Sequence, residues 1–305
     1  MEMRGRLKKR KKEYNNLAGF AFISPWLLGF LAFTIIPMIV SFYLSFTKYD
    51  ILTSPQWVDL RNYYMILFKD TTFRHSIKVT FFFAFVSVPI RLIFALFLAV
   101  LFNQKRKFVG LYRTIFYIPS IIGGSVAVAV MWRQLFGSSG ALNSLLAVLG
   151  LNIRMGWVRN PYTAIWTLIL LSAWQFGSPM LIFLAGLKQI PVSLYEAAVI
   201  DGANWWQKFG RITLPMLSPV IFFNLIMQLI SGFMMFTQSY IITEGGPFDR
   251  TLVYIMYLFR RAFSFYEMGY ACALAWILLV VIAVITLIVF KTAPHWVYYE
   301  SKGEF

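Results

Sequence analysis

Long apolar stretches separated by charged or turn-forming residues dominate the chain. A bilayer-spanning helix needs about 20 mostly apolar residues, and six stretches meet this length, at 17–46, 77–103, 114–133, 163–187, 214–236 and 268–290. The pattern predicts an all-α membrane protein with six transmembrane helices, flanked by a basic tail at 1–16 and a second tail at 291–305. We expect Pro25 and Pro37 to bend the first helix.

Lysine and arginine are distributed unevenly between the two sets of connecting segments. If the N-terminus lies inside, the inner segments carry 16 of the 28 Lys and Arg residues and the outer loops carry 9, although the outer loops hold more residues. Because basic residues favour the cytoplasmic side, we expect both termini to be cytoplasmic. The net charge of +16 therefore reflects orientation in the lipid bilayer, and no nucleic acid is expected as a partner.

The composition argues against several functional classes. The chain is 59% apolar and only 13% charged, and all twelve carboxylates lie outside the predicted spans. Proton-coupled carriers and intramembrane aspartyl or serine proteases need an acid or a histidine inside the membrane. With one cysteine, Cys272, and two distant histidines, His75 and His295, neither a disulfide framework nor a metal site is predicted.

The most informative segment is the predicted cytoplasmic loop at 188–213, which has the pattern of two short helices. Ser193 and Glu196 are spaced as a capping box at the start of the first helix. Gly202 allows the chain to turn, and Asn204 is suited to cap the second helix. A short, capped pair of helices on the cytoplasmic face is a suitable docking surface for a soluble partner.

The loop and the start of the fifth span contain Glu196-Ala197-Ala198, Asp201-Gly202-Ala203 and Leu214-Pro215. These elements resemble the coupling loop of ABC importer permeases. The resemblance extends to Leu184-Ala185-Gly186-Leu187 before the loop and to the outer-loop motif Thr243-Glu244-Gly245-Gly246-Pro247. The resemblance covers essentially the whole chain, which is similar to carbohydrate-uptake members of the maltose and multiple-sugar type. Pro215 also suits the first turn of the fifth span, where a missing N–H is tolerated.

The resemblance implies a type-1 permease fold at 77–290, in a bacterial cell (inner) membrane, that imports a sugar or oligosaccharide. It implies four partners: a second homologous permease, two ABC ATPase subunits and an extracytoplasmic solute-binding protein. It also places Glu196 near basic residues of the ATPase, with Gly202 shaping the turn, although Glu196 could equally cap its own helix. No G-x-x-x-x-G-K-[ST] motif is present, so ATP and magnesium are expected on the partner subunits and this chain is expected not to be an enzyme.

Polar residues on single faces of the late spans are candidates for a substrate path. In the fifth span they are Asn224, Gln228, Ser231 and Gln238, and in the fourth they are Thr167, Trp174, Gln175 and Ser178. Amides and hydroxyls suit sugar hydroxyls, and an aromatic ring covers the apolar face of a pyranose. The alternative is that these residues join membrane helices to one another.

Two arginines lie at or within the predicted spans. Arg91 is about 21 Å from either end of the second span, too far to reach water by extension, so it must face protein or a water-filled path. It could meet an acidic sugar, pair with backbone carbonyls or contact a partner subunit. Arg133 follows Trp132 at a span end and is expected to anchor the membrane interface.

Two other functions remain open from the residues alone. An ion-coupled secondary carrier shares the transport class but lacks the expected intramembrane acid. A non-transporting membrane scaffold would use the cytoplasmic loop only to recruit a partner.

Overall fold

The computed structural model describes residues 19–104 and 107–298. The predicted tail at 1–16 and residues 299–305 of the second tail lie outside this range. The chain divides into two compact units, Met1–Ile66 with Arg261–Ile277, and Leu67–Arg260 with Leu278–Phe305.

The first unit begins with helix α1, Gly19–Ser45. This helix passes through both Pro25 and Pro37, and its one wide turn, the π-helical segment Leu31–Ile35, lies just before Pro37. Pro37 has no N–H to donate to the preceding turn, and the N–H of Ile36 reaches back five residues to the carbonyl of Leu31. A wide turn therefore accompanies one of the two prolines, and the bend expected at each of them stays a prediction.

A small hairpin follows α1 in the first unit. Strands β1, Thr47–Lys48, and β2, Gln56–Trp57, pair antiparallel, and helix α2 covers Arg61–Tyr64. The side chain of Asn62 donates to the carbonyls of Ser45 and Thr47, at 2.9 Å each. This amide closes the hairpin onto the end of α1.

The second unit is a bundle of helices. In chain order they are α3 Thr71–Phe102, α4 Val109–Ile122, α5 Val126–Leu135, α6 Ala141–Val148, α7 Ala164–Trp174, α8 Gly177–Leu187, α9 Val192–Ile200, α10 Trp205–Phe233, α11 Tyr254–Phe259 and α12 Met268–Trp296, the first ten residues of α12 belonging to the first unit. Further π-helical segments occupy Met65–Lys69, Phe209–Thr213 inside α10, Ser239–Thr243 and Arg260–Ser264.

Among the helices of the two units, α1, α3, α10 and α12 are each long and apolar enough to cross a membrane. Two bent pairs raise the number of candidate spans to six. The two bent pairs cover the predicted spans at 114–133 and 163–187, and the bends in them were not predicted. Helices α4 and α5 meet at 96°, and α7 and α8 meet at 40°. At the sharper bend Ser125 starts α5 by accepting the N–H of Val128 at 3.3 Å, so the Gly123-Gly124-Ser125 sequence ends one helix and caps the next.

The core of the second unit forms around α3, which packs against α7, α8 and α10. Small residues allow these helices to approach closely. A Cβ at Gly186 would lie 2.8 Å from side-chain atoms of both Leu217 and Val220, and one at Gly232 would lie 3.3 Å from the Cβ of Ala84. The glycine of the Leu-Ala-Gly-Leu stretch is therefore a packing residue between α8 and α10.

A glycine in the first unit gives the first test of such close packing. A Cβ at Gly269 would lie 2.0 Å from the carbonyl oxygen of Thr47, whereas one at Gly29 would meet nothing within 4 Å. Because backbone must move to relieve the clash, Gly269→Ala should destabilise the protein by about 1–3 kcal/mol, measured as a lower thermal unfolding midpoint in detergent. Gly29→Ala is the control and should unfold like the wild type; equal midpoints for both variants would contradict the close approach of Gly269 to Thr47.

Candidate functional site: the 188–213 loop, a central cavity and an outer cleft

Helix α9 opens the 188–213 loop without a side-chain cap. Its N-cap is Pro191, and Ser193 lies one position inside the helix. The predicted Ser193/Glu196 capping box is therefore wrong. Pro191 itself sets the entry, because its fixed φ and extended ψ of 131° turn the chain directly into the helix at Val192.

The turn after α9 forms as the sequence predicts. Gly202 has φ of +74°, its N–H donates to Val199 at 3.0 Å, and the N–H of Ala203 donates to Ala198 at 2.8 Å. This is a Schellman ending, which favours glycine at the left-handed position. Four of the motif residues, Ala198 and Asp201 to Ala203, thus shape a tight reversal.

Asn204 caps the following helix, and here the loop does contain a capping box. Its side chain accepts the N–H of Gln207 at 2.9 Å, and the side chain of Gln207 accepts the N–H of Asn204 at 2.8 Å. The helix that starts here is α10, which continues through Leu214 and Pro215 to Phe233. The prediction of a separate second short helix is therefore wrong, and Pro215 lies inside a longer helix.

The loop exposes both charge and apolar surface. Glu196 is exposed, and its carboxylate has no hydrogen-bond or ion-pair partner within the described chain, so it does not cap its own helix. Ile200 is 87% exposed and Trp206 is 74% exposed. The hydroxyls of Tyr195 and Thr213 lie 2.9 Å apart and connect α9 to α10.

The observed cap gives a second prediction. Asn204→Ala removes an N-cap bond worth about 0.5–2 kcal/mol, so backbone amides at 205–209 should exchange with deuterium roughly 2–30 times faster in the purified protein. Ser193→Ala is the matched control on the same loop and should leave exchange at 192–200 unchanged. Faster exchange in the Ser193 variant alone would favour the capping box that the sequence predicted.

A polar cavity of about 330 Å³ lies in the second unit, between α3, the two bent pairs and α10. Six of the residues predicted for the substrate path line it: Arg91, Gln175, Ser178, Gln228, Ser231 and Gln238. Trp174 and Asn224 do not. The structure thus gathers amides, hydroxyls and one guanidinium from four segments around one space.

Arg91 is held by protein acceptors at the side of this cavity. Its Nε donates to the carbonyl of Ser172 at 2.6 Å, one terminal nitrogen donates to Oγ of Ser172 at 2.6 Å, and the other donates to Oε1 of Gln228 at 2.5 Å. These bonds tie α3 to α7 and α10. Arg91 was expected to face either protein or a water-filled path. Its side chain does both, since it bonds to protein acceptors and also lines the polar cavity.

The two bent pairs touch at their bends, beside the cavity. The side-chain nitrogen of Gln175 donates to the carbonyl of Gly123 at 2.8 Å, and the N–H of Ser178 donates to Oγ of Ser120 at 3.2 Å. A Cβ at Gly123 would lie 2.5 Å from the side chain of Gln175. Each break therefore supplies the polar partner that the other break needs inside an apolar bundle.

Four predicted path residues depart from the expected arrangement. Trp174 packs its ring 5.8 Å from that of Trp132. Asn224 is fully buried, and among the described residues its amide has no hydrogen-bond partner. Gln238 lies beyond the end of α10 at Phe233, so a change of chain direction, and not helical spacing, brings it to the cavity. Thr167, also proposed for this face, is buried and donates to the carbonyl of Ala164.

The outer-loop motif forms a tight turn that Thr251 closes. Gly245 has φ of +78°, where a Cβ would lie 3.0 Å from a guanidinium nitrogen of Arg260. The hydroxyl of Thr251 lies 2.7 Å from both the carbonyl of Gly246 and the hydroxyl of Thr243. Gly246 and Pro247 line the neighbouring cleft.

That outer cleft has a volume of about 1430 Å³, and charged and polar side chains line it together with apolar ones. Arg133 contributes to it and pairs with Glu244 at 2.8 Å, a contact that the sequence pattern did not predict. Arg154 and Arg159 also line it. The sequence pattern did not single out these two arginines or the cavity residues Ser120 and Ser172; only their proximity to Gly123 and Gln175 in the chain could have drawn attention to the serines.

Comparison with known proteins identifies the class. Residues 72–291 match the family described as binding-protein-dependent transport system inner membrane component. In curated proteins, the chain is 57% identical over 97% of each sequence to the probable ABC transporter permease protein YesP of Bacillus subtilis. It is 35% identical, over 94% of this chain and 90% of the other, to the arabinooligosaccharides transport system permease protein AraP of the same organism.

A solved structure shows the same fold. The crystal structure of a bacterial alginate ABC transporter, in complex with an alginate pentasaccharide-bound periplasmic protein, contains a chain with a TM-score of 0.78, 24% identity and coverage of 93% of this chain and 96% of that one. The protein described here is thus a membrane permease that works with ABC transport partners. It belongs to the binding-protein-dependent transport system inner membrane component family, whose members are transport permeases and not enzymes.

Proposed function

We propose that this chain is one of two homologous permeases that form the membrane path of an ATP-driven sugar or oligosaccharide importer. The sugar class is supported by relatives such as the arabinooligosaccharide permease of Bacillus subtilis. The comparisons support this importer interpretation and give no support to the carrier or scaffold alternatives. Its other partners are two ATPase subunits, which bind ATP and magnesium, and a solute-binding protein outside the cell.

The observation that carries the coupling role is the exposed loop around α9. Glu196 is exposed and unpaired there, in the described part of the chain, and apolar side chains such as Ile200 and Trp206 are exposed beside it. A soluble protein that docked here would bury that apolar area and offer a basic residue to Glu196. The motif residues Ala197, Ala198, Asp201, Gly202 and Ala203 set the shape of this surface, and Leu214 and Pro215 continue it into α10.

The central cavity supports a role as the substrate path. Gln175, Ser178, Gln228, Ser231 and Gln238 offer amide and hydroxyl groups of the kind that bind sugar hydroxyls. In this mechanism the binding protein delivers sugar on the outer side, ATP binding closes the two ATPases, and the coupling loops convert that closure into outward opening of the permease pair. Hydrolysis then resets the pair, with the termini of this chain on the cytoplasmic side of a bacterial membrane.

The coupling role is tested by Glu196→Lys in the tagged chain, purified gently from its native membranes. The variant should lose the ATPase subunits because it reverses the charge at the proposed contact, while the amount of permease and of the second permease stays the same. Mass spectrometry of the bound chains, calibrated for stoichiometry, measures both. Wild-type protein should retain two ATPase copies per permease pair.

Asp59→Lys is the control, since it makes the same change of charge on an exposed residue far along the chain from the loop. It should retain the ATPases. Equal recovery of ATPase with Glu196→Lys and with wild type would refute the coupling role of Glu196.

A further inference from the structure

Cationic side chains line the outer cleft, and their number exceeds that of the acids. Arg133, Arg154 and Arg159 contribute to its lining, whereas Glu244 is the one carboxylate among the lining residues. Glu244 is already paired with Arg133 at 2.8 Å. Within the described chain, Arg154 and Arg159 have no ion-pair or hydrogen-bond partner for their guanidinium groups, so the cleft retains an excess of two positive charges.

Two acids that do not line the cleft have partners of their own. Asp70 caps α3 through the N–H of Phe73 at 2.9 Å and also accepts from the hydroxyl of Tyr257. Asp249 lies 3.5 Å from Arg260. The positive excess is therefore a property of the folded cleft and not only of the composition.

The segment that carries the two arginines is held in place. Asn143 is 7% exposed; its side chain donates to the carbonyls of Ser138 and Met155, at 2.9 Å each, and accepts from Nε1 of Trp157 at 2.7 Å. One buried amide thus fixes the chain just after Arg154 and again before Arg159. The arginines project from an ordered wall, which reduces the entropy lost when they bind a ligand.

The cleft adjoins the central cavity along the chain. Gln238 lines the cavity, and Ile242 to Glu244, about one helical turn later, line the cleft. Inside the cavity Arg91 uses three of its five N–H groups on protein acceptors. A substrate that passed from the cleft to the cavity would meet positive charge at both places and no unpaired carboxylate among their lining residues.

We infer that the outer cleft recognises saccharides that carry carboxylates, so that this importer takes up oligosaccharides containing uronic acid. Guanidinium groups bind carboxylates through paired, charge-assisted hydrogen bonds, while Gln134, Ser138 and Asn160 of the same lining offer partners to sugar hydroxyls. The volume of about 1430 Å³ exceeds that of a usual small-molecule pocket and suits an oligomer. This inference rests on the proposed function and on its assignment of the cleft to the outer side.

The test measures uptake by the complete transporter in cells that express it. The probes are labelled oligosaccharides of two to four units from pectin, glucuronoxylan and alginate, and the same mixtures after chemical reduction of their carboxyl groups to alcohols. Reduction keeps length and linkage and removes only the charge. Wild-type cells should take up at least one acidic mixture at least tenfold faster than its reduced counterpart.

The variants locate the recognition. Arg154→Gln with Arg159→Gln should lower acidic uptake about tenfold, because two charge-assisted contacts are removed, and the loss should be greatest at low ionic strength. Arg154→Lys with Arg159→Lys should retain most of the uptake. Lys48→Gln with Arg61→Gln removes the same charge from exposed positions that line neither the cleft nor the cavity and should have no effect.

Three results would overturn the inference. Preference for the reduced mixtures would show a neutral substrate and leave the proposed importer function intact. An equal loss of acidic and reduced uptake in the Arg154/Arg159 glutamine variant would show that these arginines serve contact with the binding protein or folding, and not recognition of carboxylates. Absence of uptake of every mixture, with the ATPases still bound to the purified permease, would exclude the substrate class while retaining the coupling role.

Discussion

Inside a bilayer every polar group must find a partner in the protein or in a water-filled space, and this constraint organises the second unit. Arg91 meets it by bonding to Ser172 and Gln228, which joins three helices. The breaks between α4 and α5 and between α7 and α8 satisfy this constraint by bonding to each other, because the side chain of Gln175 donates to the carbonyl of Gly123. The same groups line the polar cavity, so the residues that make irregular backbone tolerable in the membrane also form the space through which a polar substrate could pass.

Much of this arrangement follows from local sequence. Apolar length located the long helices, and the left-handed position after α9 requires glycine, which Gly202 supplies. Gln228 and Ser231 face one cavity because residues three apart share a helical face. These features depend only on the period and termini of single helices, and a sequence displays both.

The errors arise where one helix contacts another or where two local signals compete. Asn224 shares a face with Gln228 by spacing, yet it is fully buried because packing between helices decides which part of a face stays open. Pro191 overrides the cap expected from Ser193, since a fixed backbone dihedral outweighs one side-chain hydrogen bond. The bend at Gly123 to Ser125 was hidden because apolar length alone does not distinguish a straight span from two helices at 96°.

The continuity of α10 has a mechanical consequence. This helix begins at the capping box of Asn204 and reaches Gln228, at the cavity, without an intervening loop, a distance of about 35 Å at the rise of an α-helix. The hydrogen bond between Tyr195 and Thr213 attaches α9 to the N-terminal part of α10. A tilt imposed at the loop is therefore transmitted along one continuous helix to the acceptor of Arg91.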